Sequence, residues 1–186
     1  MSDSVLPWFA IAVLLFWAMG AYNRLVRCRS QGLLVFTALE ALLHQHLLLV
    51  KTHAPDAQGA SAPTFWAQSD AAGLSAWAGF AAAADQFRAS LRVAHAHPLH
   101  APAMRALKTA HETMSDSWTR VRNLPAELTG PVWLQALQSD WESLALKTEM
   151  TRTDFNRAVS NYNDAIGQFP ALLLAWLFGF KPAQSI

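Results

Sequence analysis

The fold of this chain is decided by residues 155–181, which read FNRAVSNYNDAIGQFPALLLAWLFGFK. Apolar side chains recur there at helical spacing, which predicts the end of a long helix. The positions are Phe155, Val159, Tyr162, Ile166 and Phe169. Pro170 stops this helix, because proline lacks an N–H and restricts the residue before it. A short apolar run over residues 172–178 follows, so the chain turns into a second element before Gly179 closes it.

The helical spacing extends upstream, and the last helix is therefore predicted to run from Leu134 to Phe169. Steps of three and four residues alternate over about five heptads, which is typical of a coiled-coil seam. The seam positions are Leu134, Leu137, Trp141, Leu144, Thr148, Thr151, Phe155, Ala158, Tyr162, Ala165 and Phe169. We interpret the seam as core rather than as a ligand site. Asn156 and Asn163 are seven residues apart on one face, where they either cap a neighbouring segment or meet a partner.

The same stretch resembles the C-terminal signature of the LemA family of bacterial membrane proteins. The matching positions are Phe155, Asn156, Ala158, Val159, Tyr162, Asn163, Ala165, Ile166, Phe169, Pro170, Leu177, Phe178, Gly179, Phe180, Lys181 and Pro182. A second match is the run AYNRLVR at residues 21–27, directly after a hydrophobic helix. The resemblance implies a single membrane anchor, a four-helix bundle and no established enzymatic reaction. One departure is residues 33–50, which are mostly apolar where family members usually carry charge.

The N-terminal segment has the length and composition of a membrane anchor. Residues 4–23 carry no charged side chain, and as a helix they span about 30 Å, the thickness of a hydrocarbon core. Trp8 and Trp17 lie toward the two ends, as interfacial residues often do. A cleavable signal peptide would carry Lys or Arg before the apolar run, where this chain has only Asp3. We therefore predict an uncleaved transmembrane anchor over residues 1–22 and a bundle domain over residues 23–186.

Three basic residues follow the anchor at once, and they predict its orientation. Arg24, Arg27 and Arg29 form this flank, whereas no basic side chain precedes the anchor. The positive-inside rule then places the C-terminal domain in the cytoplasm. The sequence thus predicts a single-pass membrane protein, and the resemblance to the LemA family implies that the membrane is the bacterial inner membrane.

The segment from Leu33 to Val50 admits two interpretations. It is apolar almost all round and long enough for a second membrane span. However, Glu40, His44 and His46 lie in its middle, and an ionised Glu there would cost about 3 kcal/mol to insert. Such a helix is more often central in a bundle.

Two more helices are predicted in the middle of the chain, separated by breaks rich in proline, glycine or small polar residues. One begins near Phe65, and the next carries an apolar stripe from Met104 to Val121. The breaks are Thr52–Thr64, His95–Pro102 and Asn123–Pro131. Helices joined by modest loops pack antiparallel. The predicted fold class is therefore all-α, with an N-terminal transmembrane helix followed by an antiparallel four-helix bundle of long helices.

Charge and histidine content give little support for nucleic-acid or metal binding. Lys and Arg number 14 against 13 Asp and Glu, a net charge of +1, so no nucleic-acid partner is expected. Glu40 and His44 are four residues apart, a spacing that can hold a metal. No second ligand pair follows in the neighbouring helices, and His95, His97 and His100 are interpreted as a solvated loop cluster. His111 falls on an apolar seam as a hydrogen-bonded core residue. No cofactor, metal site or catalytic residue is therefore predicted.

The function predicted from these features is that of a binding or scaffold protein at the cytoplasmic face of the membrane. Its partners would be the lipid bilayer and a protein that the sequence does not identify. Two alternatives are an enzyme with a bundle-core metal at Glu40 and His44, and a sensor domain that signals through the anchor helix. The sensor would need the bundle outside the cell.

The apolar segment over residues 171–180 has two possible placements. In an up-down-up-down bundle the last helix returns to the membrane, and ten residues are too short to cross it. The segment then lies in the interface, with Trp176 at headgroup depth and Lys181 reaching phosphate, or it folds back as a lid on the bundle.

Overall fold

The computed structural model describes residues 5–53, 71–124 and 133–186, and these residues form five helices and no strand. The helices are α1 (Val5–His53), α2 (Ala71–Ala96), α3 (Ala101–Arg122), α4 (Trp133–Gly167) and α5 (Ala171–Phe178). The predicted all-α class is confirmed. The predicted start of the second helix near Phe65 and most of the predicted loops at 52–64 and 123–131 lie outside the described residues.

The anchor segment and the first bundle helix are one helix, α1, of 49 residues. No helix break marks the predicted domain boundary at position 22. Up to Gly20 its described side chains are nearly all exposed, whereas farther on one face is buried. The buried apolar residues of that face are Leu25, Phe36, Leu39, Leu43, Leu47 and Val50. In the described part of the chain, α1 alone is long and apolar enough to cross a membrane.

Helices α1 to α4 pack as two antiparallel pairs. In the first pair α1 runs against α4, with Phe36 and Phe155 at 5.7 Å between ring centroids and His46 and Trp141 at 4.8 Å. In the second pair α2 runs against α3. A side-chain contact of 2.7 Å between Glu40 Oε1 of α1 and His95 Nδ1 of α2 joins the two pairs. The burial of one face of residues 36–50 within this arrangement agrees with their interpretation as a bundle helix.

The core is richest in aromatic residues where the second half of α1 meets the start of α4. Trp118 and Trp141 stack with ring centroids 5.0 Å apart, and Phe80 packs on both at 5.6 and 5.7 Å. Each fully buried large side chain of this kind stabilises the fold by about 1.5–3 kcal/mol. The core therefore fixes the bundle firmly at the end far from the anchor.

The predicted seam of α4 is largely buried, with one correction at its end. Leu137, Trp141, Thr148, Phe155 and Tyr162 are buried. Thr151 and Ala158 are only half-buried, while Val159 and Ile166 are buried, because a straight helix drifts relative to a strict seven-residue repeat. The inclusion of Phe169 in the seam is wrong. α4 ends at Gly167, and the Phe169 side chain is 70% exposed.

The break predicted over His95–Pro102 is shorter in the structure. His95 belongs to the last turn of α2, and residues 97–100 form the connection. Pro102 lies inside the first turn of α3, where its missing N–H would have no intrahelical partner in any case. Leu99 adopts a left-handed backbone with φ of 67° and is nevertheless buried. This side chain fixes the tight turn against α1 at Gly32.

Candidate functional site

Two asparagines of α4 hold the C-terminal tail by paired hydrogen bonds. The side-chain amide of Asn163 donates to the carbonyl of Ala183 (2.9 Å) and accepts from its N–H (2.9 Å). Asn156 forms the same pair with Ile186, at 2.8 and 3.0 Å. An asparagine amide offers both a donor and an acceptor, so it can pair with a backbone as another peptide group would.

The spacing of the two asparagines matches the spacing of the residues they hold. Seven helical residues from Asn156 to Asn163 rise about 10.5 Å. Three extended residues from Ala183 to Ile186 span about 10 Å. Of the two roles left open by the sequence, the asparagines thus take the first: they bind a neighbouring segment of their own chain.

Tyr162 adds a third fixed point to the tail. Its hydroxyl donates to the carbonyl of Lys181 at 3.1 Å. Burial raises the pKa of the Tyr162 hydroxyl above its ordinary value, and the nearby Arg29 guanidinium opposes this shift. The hydroxyl therefore stays protonated and remains a donor at physiological pH. Together with the asparagines it aligns the tail along α4.

Helix α5 connects α4 to the tail and turns an apolar face outward. Ala171 and Ala175 are buried against the bundle. Gly179 ends the helix with φ of 69°, and the N–H of Phe180 donates to the carbonyl of Ala175 at 2.9 Å. This is the hydrogen bond of a Schellman motif, in which a left-handed residue favours glycine. The motif reverses the chain and directs it into the tail.

The outward side chains of α5 and of the residue before Pro170 form a continuous apolar surface, which we call the α5 face. Its members are Phe169, Leu172, Leu173, Trp176, Leu177 and Phe178, all exposed. Trp176 is 84% exposed. A contiguous exposed apolar patch of this kind marks a contact with protein or membrane.

The α5 face lies beside α1 where the apolar anchor segment ends. Trp17 packs against Phe169 with ring centroids 5.3 Å apart. Tyr22 packs against Phe178 at 5.1 Å and against Phe180 at 6.2 Å. The exposed surface of α1 and the α5 face therefore form one apolar region.

The three arginines of the predicted anchor flank lie directly beyond this region. Arg24 donates to the side-chain oxygen of Gln168 at 3.1 Å. The Arg29 guanidinium lies 5.8 Å from the ring centroid of Phe180. Arg27 is exposed on the same helix. Sequence reasoning missed Gln168, because its only signal was its position next to the proline stop.

The predicted histidine cluster is divided between two places. His95 Nδ1 lies 2.7 Å from Glu40 Oε1, and His44 Nε2 lies 3.7 Å from the same oxygen. His97 and His100 remain in the turn, with ring centroids 6.2 Å apart. In the described ranges, no group of three or more His, Cys, Asp or Glu is arranged to hold a metal ion. The Glu40–His95 contact could not be read from the sequence, since the partners are 55 residues apart.

Two further histidines lie in the aromatic core. His46 is buried, and its Nδ1 lies 3.2 Å from the carbonyl of Leu42. Burial, and then repulsion from His111, lower the pKa of His46 to about 4. His111 is half-buried, and its ring packs against Phe87 at 5.5 Å. Both imidazoles are therefore neutral packing groups at physiological pH.

Over the described residues, fold and site together define a class of protein: an all-α bundle with one candidate membrane-crossing helix at its N-terminal end. Residues 81–186 match the LemA family. This match covers more than half of the chain and includes both asparagines, α5 and the tail, and the chain belongs to the LemA family. The similar run at residues 21–27 lies outside the matched residues. Comparisons with curated proteins and with solved structures gave no match.

Proposed function

We propose that this LemA family protein is a single-pass binding or scaffold protein at the cytoplasmic face of the bacterial inner membrane, with no catalytic activity of its own. The observation that carries the proposal is the α5 face beside the end of the anchor segment. The bundle then meets the bilayer twice, through α1 and through α5.

Length and exposure favour an interfacial position for α5. Its 8 residues make about 12 Å of helix, too short to cross a hydrocarbon core. Burying a large apolar side chain is worth about 1.5–3 kcal/mol, and the α5 face offers several. Because α1 already holds the chain at the membrane, α5 can bury its apolar side chains without a further loss of translational and rotational entropy. The second contact thus fixes the orientation of the bundle on the surface.

A fixed orientation suits a scaffold, because it presents the same faces of α2 and α3 to the cytoplasm in every copy. The arginine flank supports the cytoplasmic side, since basic residues concentrate on that side of an anchor. The lid interpretation of α5 is compatible with this arrangement. Ala171 and Ala175 cover the bundle end while the opposite face meets lipid.

The depth of the α5 face tests the proposal. Leu173→Cys in a Cys28→Ser background carries a nitroxide label, and the full chain is reconstituted in nanodiscs. We expect the label to be accessible to oxygen and shielded from a nickel chelate, as a residue in lipid is. The matched control is Leu48→Cys on α1, at a side chain that is 63% exposed but on the distal half of the helix. It should be accessible to the chelate. Equal chelate accessibility at both positions would show that α5 does not touch the bilayer.

A further inference from the structure

A cleft lies next to the α5 face, on the side away from the anchor. Its volume is about 320 Å³, and its walls come from α1, the α2–α3 turn, α4 and the tail. The lining residues that matter here are Arg29, His97, His100, Tyr162, Phe180 and Lys181. Four separate parts of the chain therefore converge on one opening.

The chemistry of the cleft is basic. Arg29, Lys181, His97 and His100 all line it and are all exposed. Among the described residues that line the cleft, none is Asp or Glu. Elsewhere the basic residues Arg88, Arg152 and Arg157 each pair with an acidic side chain on their own helix. The cleft thus presents positive charge that the described part of the chain does not neutralise.

Parts of the cleft wall are held by contacts within the protein. Arg29 lies over the ring of Phe180, and the backbone of Lys181 is bound by the Tyr162 hydroxyl. The buried Leu99 fixes the turn that carries both histidines. His100 also precedes α3, whose first turn has no side-chain cap, so the positive end of that helix adds to the field.

The position of the cleft relates it to the membrane surface. Arg29 is seven residues beyond Tyr22 on the continuous helix α1, a rise of about 10 Å. The polar layer on each side of a hydrocarbon core is about 5–8 Å thick. With Tyr22 at the edge of the core, the Arg29 backbone therefore lies about 2–5 Å beyond the headgroup layer, a distance that its long side chain can bridge to reach a headgroup phosphate.

We propose that this cleft binds a phosphate group, carried by an anionic phospholipid headgroup or present as free phosphate. A guanidinium and an ammonium are the side chains best suited to phosphate oxygens. The inference goes beyond the scaffold function, because the cleft would bind phosphate whatever protein the bundle recruits.

The test measures binding to the full chain in a neutral detergent by native mass spectrometry, and so it does not depend on topology. The probes are dihexanoyl phosphatidylglycerol, dihexanoyl phosphatidic acid, dihexanoyl phosphatidylcholine and inorganic phosphate. The variant is Arg29→Gln/Lys181→Gln. A charge-matched control is Lys51→Gln/Arg120→Gln, at two exposed positions on the distal half of the bundle.

We expect the two anionic lipids to bind the parent and the control equally, and the cleft variant about tenfold more weakly or worse. Binding of phosphate as tight as that of the lipids would identify free phosphate as the ligand. Binding of the anionic lipids only would identify the headgroup. The proposal would be overturned if the anionic lipids bound the cleft variant as tightly as the parent. It would also be overturned if phosphatidylcholine bound the parent as tightly as the anionic lipids do. Lys181→Gln alone, which leaves the Arg29–Phe180 contact intact, should give a smaller loss in the same direction and guards against a folding defect.

Discussion

At the scale of single residues, two side-chain amides form the hydrogen bonds that a neighbouring backbone segment would otherwise form. Asn156 and Asn163 each replace the partner strand that an extended tail would otherwise need, and the Tyr162 hydroxyl adds one more donor, to the carbonyl of Lys181. Backbone groups left unpaired in a partly buried place cost about 1–3 kcal/mol each. The signature asparagines are therefore explained by the segment that follows them in the chain.

The tail contacts predict a specific response to an isosteric change. Asn156→Asp/Asn163→Asp keeps an acceptor for each tail N–H but removes each donor and places a carboxylate beside a carbonyl. We expect the amides of Ala183 and Ile186 to exchange hydrogen at least about tenfold faster, since the two lost hydrogen bonds are together worth about 2 kcal/mol and a tenfold change corresponds to about 1.4 kcal/mol. Hydrogen exchange of the C-terminal peptide measures it.

The control for this change is Asn161→Asp, which makes the same chemical substitution and adds one negative charge at an exposed side chain of the same helix. It should leave the exchange of the tail unchanged. A double variant that protects the tail as well as the parent does would show that the asparagines are dispensable for its position.

At the scale of helices, the periodicity of apolar residues predicts which helical faces are buried, but it predicts nothing about segments that lack such a repeat. The core positions of α4 and its end before Pro170 could be predicted, because a buried helical face repeats every three or four residues. The path of the tail could not, because extended chain carries no such repeat. The prolines led to a predicted break over His95–Pro102 that is too long. His95 belongs to the last turn of α2, and Pro102 is tolerated in the first turn of α3. The cleft joins residues from four distant parts of the chain, so no local pattern indicates it.

The α4 seam predicts a large loss of stability on truncation. Phe155→Ala removes a fully buried ring that packs on Phe36, and we expect a loss of about 3–5 kcal/mol in the free energy of unfolding. Met150→Ala on the same helix changes a side chain that is 65% exposed and should shift stability by less than about 0.5 kcal/mol. Near-ultraviolet circular dichroism during chemical unfolding reports the packing of Trp118 and Trp141. Similar midpoints for both variants would show that Phe155 is not core.

At the scale of the whole molecule, charge and apolar surface both concentrate where α1 leaves the anchor segment. The uncharged run of α1 ends near Tyr22, and three arginines follow it directly: Arg24, Arg27 and Arg29. Orientation in the membrane is therefore predicted by a few residues, while the bundle is stabilised by the core at the far end.

Orientation can be tested in cells with paired reporters after Ile186. We expect a green fluorescent protein fusion to fluoresce and an alkaline phosphatase fusion to be inactive, as for a cytoplasmic C-terminal domain. Neutralising the three arginines while adding three lysines before Val5 should raise phosphatase activity. High phosphatase activity from the unmodified chain would contradict the proposed orientation.

In the proposed membrane arrangement, the unbroken helix α1 makes the protein a rigid lever. A helix that passes from lipid into the bundle without a hinge transmits any tilt of its buried end to its other end. Over the roughly 30 residues beyond Tyr22, about 45 Å of helix, a 10° tilt displaces the distal end of the bundle by about 8 Å. Membrane thickness sets such tilts, because a long apolar helix leans to fit a thin bilayer. With α1 anchored as proposed, the distance of the bundle from the membrane surface would change with the thickness of the bilayer.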